Sequence, residues 1–176
     1  MAIHWITSQG GPYILTDVET ASLWRAVEEL SVKKSGGHIN DYSRACDGRG
    51  YVRVIDGAGG RQILVINDLP SDLMLYSNSN TEVILVKWVG ANSDDQVLLA
   101  LDTAGPLVFE DQNIIFEVAE SQLGIFDSAF LFCDVGQNKI SLNLSCGSYR
   151  VGVLNFEPND ELILQIFRIA QTLPDK

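Results

Sequence analysis

The sequence predicts an α+β fold, mostly antiparallel β, with two short helices in the N-terminal half. Its strands form two packed sheets or one strongly curved sheet. Three observations predict this. Short apolar or alternating runs recur along the chain, each bounded by Gly, Asn, Asp or Ser. Thr16-Asp17-Val18-Glu19 and Ser93-Asp94-Asp95-Gln96 have the spacing of a helix capping box. A glycine turn, Gly57-Ala58-Gly59-Gly60, separates two β-rich runs.

Trp5-Ile6-Thr7 and Tyr13-Ile14-Leu15 read as short strands, with Gly10-Gly11-Pro12 as the turn between them. Val18, Ala21, Leu23-Trp24, Val27 and Leu30 follow helical spacing, so residues 17–30 are expected to form an amphipathic helix capped by Thr16. Residues 31–40, with Lys33-Lys34 and Gly36-Gly37, read as an exposed loop. Tyr51 to Ile55 and Ile63 to Ile66 flank the glycine turn as a hairpin. Met74 to Tyr76 and Val83 to Val89 are further strands across the turn Ser77-Asn78-Ser79-Asn80. A second helix starts at Ser93 and stops before Gly105-Pro106.

The second half reads as strands at Leu107 to Phe109, Ile114 to Val118, Ile125 to Phe132, Ile140 to Leu144 and Tyr149 to Phe156. Residues 162–169 fit either strand or helix, and their Ile-Leu-Ile-Phe content favours strand. The length suits one domain over residues 1–176. The composition change near Gly105-Pro106 allows two subdomains, a helix-containing β half (1–104) and an all-β half (105–176).

The formal charge is −11. That argues against nucleic acid or an anionic membrane as a direct partner, because phosphate binding needs clustered Lys and Arg. It suits an encounter with a basic protein, or it serves solubility alone. No apolar run is long enough to span a bilayer, and the first residues lack a signal-peptide pattern. The expected location is therefore cytoplasmic. Three cysteines, Cys46, Cys133 and Cys146, match no zinc spacing and are expected to be buried as small apolar side chains. Neither a cofactor nor a metal is implied.

Catalytic patterns are weak. Only His4 and His38 could serve a triad, and Ser43, Cys46 and Ser145 sit in no nucleophile elbow. The adjacent pairs Asp94-Asp95, Glu110-Asp111 and Asp160-Glu161 do not by themselves make an acid–base dyad, since neighbours on a strand point to opposite faces. Asp41 to Cys46 reads as a capped turn, with Arg44 paired to a nearby carboxylate and Tyr42 and Cys46 inward. A partner-contact surface is its functional alternative. The three tryptophans lie on apolar patterns and read as core.

Several motifs recur in a fixed order: Trp5, Gly10-Gly11-Pro12, Trp24, Asp41-Tyr42, Arg44-Ala45-Cys46, Gly50-Tyr51, Asp68, Pro70, Val86, Trp88 and Asp94. In order and spacing they resemble the immunity protein 21 family of bacterial toxin–immunity systems. The resemblance is clearest from Trp5 to about Leu101. Further on, Phe126-Asp127-Ser128-Ala129, Gly147 to Val151 and Glu157-Pro158 resemble a β-module of some nuclease inhibitors. The family implies a cytoplasmic, non-enzymatic protein that binds and neutralises a cognate toxin, with a basic nuclease fitting the charge. It supplies no catalytic residues, and its motif positions look structural. A non-inhibitory binding or scaffold domain is the alternative, and a hydrolase using His38 or Cys46 the third reading. Toxin identity, contact surface, strand order and oligomeric state are not encoded legibly.

Overall fold

A computed structural model describes residues 3–26, 41–66 and 71–172. Among them, eleven strands form two antiparallel sheets. The first sheet has six strands in the order β1 (Trp5–Ile6), β5 (Leu73–Asn78), β6 (Glu82–Gly90), β11 (Leu162–Gln171), β10 (Gly147–Asn159) and β7 (Glu110–Val118). The second has five: β3 (Val52–Asp56), β4 (Gln62–Ile66), β2 (Tyr13–Asp17), β8 (Gln122–Asp127) and β9 (Lys139–Asn143). Each sheet takes strands from both sides of Gly105. The expected α+β, mainly antiparallel architecture is observed, and of the two sheet arrangements it is the packed pair.

Side-chain alternation explains the packing. In the second sheet Leu15 lies opposite Leu64 and Ile125, and all three enter the core between the sheets. Their neighbour Ile14 lies opposite Val65 and Phe126, and these face outward. In the first sheet Leu85 and Phe167 are partners facing inward, while Val86 and Ile166 are partners facing outward. The central strands are apolar on both faces, so both outer faces also need cover. Each fully buried aliphatic or aromatic side chain contributes about 1.5–3 kcal/mol through burial.

Three helices and two irregular segments supply that cover. Ala21 of α1 (Val18–Ser22), Ala45 of α2 (Asp41–Cys46) and Val135 pack on the outside of the second sheet. Val97 and Leu101 of α3 (Asp94–Thr103), with Leu107 and Phe109, pack on the outside of the first. Ser93 caps α3 as expected, its hydroxyl accepting from the Gln96 N–H at 3.2 Å. The Gln96 side chain returns to the Asn92 N–H at 2.8 Å.

Several expectations need correction. The first helix is shorter than residues 17–30: it ends at Ser22, and residues 24–26 are not helical. Its cap is Asp17, whose carboxylate takes both the N–H and the hydroxyl of Thr20. Thr16 is buried in β2, with its hydroxyl donating to the Gln62 carbonyl, so it is not free to cap. Tertiary contacts end the helical pattern, because the Trp24 indole reaches the Ser128 carbonyl at 2.8 Å. Residues 27–30, the expected loop at 31–40 and the tail beyond Thr172 lie outside the described residues. Asp41 to Cys46 adds a third helix to the expected two.

Leu107 to Phe109 is not a strand but a strap across the outer face of the first sheet. The Ile125 run leaves the sheet at Asp127, whose carboxylate accepts the N–H groups of Gln9 and Ala129 and so turns the chain. Gly10-Gly11-Pro12 links strands of different sheets and closes no hairpin. The hairpin at Gly57 to Gly60 is as expected, with positive φ at Gly59 (66°) and Gly60 (75°). Residues 162–169 are strand. Cys133 and Cys146 are exposed and only Cys46 is partly buried, which corrects the expectation of three buried thiols.

Tyr13 ties the sheets together. From β2 its hydroxyl points to the carbonyls of Ile6 and Ser71, each at 2.8 Å, beside the other sheet's β1 and β5. Burial pushes its phenol far above the usual value, and the carboxylates of Asp72 and Asp127 push the same way. A phenol whose folded pKa is raised contributes stability below the unfolded pKa, about 10, and loses it as pH rises beyond. The denaturation midpoint is therefore expected to fall above about pH 10. Tyr13→Phe is expected to be less stable at neutral pH but to fall less steeply. Equal alkaline slopes in parallel urea titrations would contradict this role.

Candidate functional site

The residues singled out by the motifs gather in three places. On the outside of the first sheet, Trp5 of β1 and Trp88 of β6 meet edge to face, with ring centroids 5.4 Å apart. The Trp5 indole donates to the Asp94 carboxylate at 3.1 Å. Asp94 also lies in the first turn of α3, where a negative charge suits the helix dipole. One acid thereby fixes helix, sheet and edge strand together.

The second place is the end of β8. The Pro12 carbonyl accepts from the Ser128 N–H at 2.9 Å, and the Ser8 hydroxyl donates to the Gly11 carbonyl at 2.8 Å. Gly11 passes so close to Asp127 to Ala129 that a Cβ there would overlap the Asp127 carboxylate and lie 2.9 Å from the Ser128 hydroxyl. Gly10 has φ 118°, and Trp24 closes the cluster through its bond to Ser128. Asp127 is fully buried.

The third place surrounds α2. The Asp41 carboxylate accepts from the Arg25 backbone N–H and from Arg44, each at 3.2 Å. Arg44 continues to the Asp56 carbonyl, tying α2 to the β3–β4 hairpin. Tyr42 returns its N–H to the Arg25 carbonyl at 3.3 Å, and Cys46 ends the helix half-buried. Gly50 has φ 100° before β3. Tyr51 packs against the central core, and its hydroxyl accepts from Asn155 of β10 at 3.0 Å. Asp68 and Pro70 lie outside the described residues.

The catalytic candidates are not assembled. The His4 ring nitrogen lies 3.3 Å from the Lys139 carbonyl, beside the first sheet, whereas Cys46 and Ser43 lie on α2 outside the second. His38 lies outside the described residues. No cluster of His, Cys, Asp and Glu able to hold a metal occurs among the described residues. No helix among them is long and apolar enough to cross a membrane.

The open grooves among the described residues include three of several hundred Å³. One, of about 780 Å³, runs over β7, β10 and β11 and carries Arg150 and Arg168. Both arginines are already paired, with Asp111 at 2.8 Å and Glu82 at 2.6 Å. The Asn113 N–H and then Arg150 hold the Asp111 carboxyl below its usual value. A groove of about 430 Å³ holds Tyr76, whose phenol is pushed up by burial and by its bond to Asp102 at 3.2 Å.

The remaining groove, of about 620 Å³, lies between α3, the 104–108 strap and the β10–β11 hairpin tip. Leu99 and Val108 line it and are 65% and 78% exposed. Sequence reasoning missed this feature. Its one available signal was negative, in that residues 88–138 and 151–167 contain neither Lys nor Arg.

The fold thus defines an antiparallel two-sheet α+β protein whose conspicuous polar clusters bond inward. The chain belongs to the immunity protein 21 family, whose model matches residues 4–162. Its members are immunity proteins of toxin–immunity systems. No curated protein and no solved structure matches the chain.

The Gly11 contact predicts a sharp asymmetry. Gly11→Ala is expected to cost about 1–3 kcal/mol through overpacking against Asp127. Gly105→Ala, where nothing lies within 4 Å, is expected to stay within about 0.5 kcal/mol of wild type. Urea denaturation checks both, and a neutral Gly11→Ala would remove the packing role assigned to this motif.

Proposed function

We propose that this protein is a non-enzymatic immunity protein that binds a cognate toxin stoichiometrically and blocks it in the cytoplasm. The observation that carries the reading is the family match over residues 4–162. The toxin class favoured by the charge of −11 is a basic protein, with a nuclease the natural example. A nuclease needs a cationic groove for phosphates, and an acidic inhibitor can occupy such a groove. In this reading the family motifs keep the fold, and recognition falls to exposed side chains. The internal bonds of Trp5, Gly11, Trp24, Asp41 and Asp94 support that division. A scaffold role without inhibition has no observation of its own in its favour.

Growth rescue tests the function. The polypeptide encoded immediately upstream is expressed alone and then with this protein. Toxicity relieved by co-expression is the expected result, with a 1:1 complex on purification. A toxic neighbour left unrelieved would contradict the reading. Affinity is also expected to fall as salt rises from about 50 to about 300 mM, as charges become screened. Salt-independent affinity would reject the basic-partner element alone.

A further inference from the structure

We propose that the groove between α3 and the β10–β11 hairpin tip is the docking site for the toxin. Its occupant is a segment that places an aliphatic or aromatic side chain between Lys or Arg residues. This rests on the immunity reading and specifies its contact surface.

Two properties coincide there. The floor and walls are apolar, with Leu107, Leu154 and Phe156 below and Leu99 and Val108 reaching into solvent. Large apolar side chains left exposed together on ordered elements mark interaction surfaces. The chain around the lining residues is acidic, with no Lys or Arg in residues 88–138 or 151–167. Asp95 adjoins the lining residue Gln96 on α3, and Glu157, Asp160 and Glu161 adjoin Pro158, Asn159 and Leu162 at the hairpin tip. All four carboxylates are exposed, and none makes an ion pair among the described residues.

The other two grooves differ. Arg150 and Arg168 are neutralised by their own acids, and Asp102 is already engaged by Tyr76. Among the described residues, the groove at the hairpin tip carries the two most exposed large apolar side chains, Leu99 and Val108, beside carboxylates outside any ion pair.

That combination selects the occupant. Nucleic acid and anionic lipid are repelled by these carboxylates. A second copy of this chain would bring the same carboxylates against each other if this face paired with itself. A cationic segment with an apolar anchor satisfies both properties. The apolar side chain supplies the buried centre of the contact, and the carboxylates speed encounter and fix register.

The test titrates the purified polypeptide encoded immediately upstream against wild type and three variants. Leu99→Ser with Val108→Ser removes the apolar anchor. Asp95→Asn with Glu157→Gln, Asp160→Asn and Glu161→Gln removes the acidic charge. Ile115→Ser, in the groove over β7, is the control. All the altered side chains are exposed, so the variants are expected to keep the wild-type thermal midpoint.

A loss of about tenfold or more in affinity for the first variant is expected. The second is expected to lose affinity at low salt and to show a flatter salt dependence, while the control binds as wild type. Wild-type binding left intact by both groove variants would overturn this assignment and leave the immunity reading standing. Absence of any wild-type binding would overturn both. Self-association abolished by the Leu99 and Val108 changes would assign the groove to a second copy instead.

Discussion

The structure depends on one constraint: the central strands are apolar on both faces. Ile14 and Leu15 in β2, Leu64 and Val65 in β4, and Leu85 and Val86 in β6 send consecutive side chains to opposite sides, and every one is buried. Joining the two sheets buries only half of this surface. The other half has to be covered by whatever the connections can supply. Short helices and irregular straps do this, because each needs only a few apolar residues on one side.

That requirement explains where the polar motif residues went. The polar residues that stand out in the sequence hold the covers in place. Asp94 holds α3 to Trp5, Asp41 and Arg44 hold α2, and Ser128 receives Trp24. Asp127 ends β8 and fixes the glycine turn of the opposite segment. Such contacts are side-chain bonds to backbone or to one another; those of Trp24, of Asp127 and of Arg44 with Asp41 are buried or half-buried, where a lost partner leaves an unsatisfied group, and that of Trp5 is exposed. The surface proposed for recognition is where cover stops, at the strap, the outer side of α3 and the hairpin tip. There the apolar requirement of the fold and the acidic composition of the chain meet.

Much of the fold was legible because strands with strict alternation and flanking turn residues declare themselves. The hairpin at Gly57 to Gly60 and the Ser93 cap followed from local chemistry alone, and at residues 162–169, which fit either strand or helix, the favoured strand is the one observed. Errors arose where a distant partner decided the outcome. Nothing near Leu23 announces that Ser128 will take the Trp24 indole, or that Gln62 will occupy the Thr16 hydroxyl. Leu107 to Phe109 has strand composition, yet its place is against the outer face of the first sheet and not within it. The candidate site was less legible still. Leu99 and Val108 are far in sequence from the hairpin-tip residues Pro158 and Asn159, and the pairing of β10 with β11 and the seating of α3 bring them together.

The most direct measurement is amide hydrogen exchange across the chain, free and in complex with the upstream-encoded polypeptide. Slowed exchange at residues 95–108 and 156–162, with the motif segments at residues 8–12 and 127–129 unchanged, is the predicted result. The amides of Gln9, Gly10, Ser128 and Ala129 already bond internally. Protection centred on the motif segments, with α3 and the hairpin tip unaffected, would contradict the division between residues that keep the fold and residues that meet the toxin.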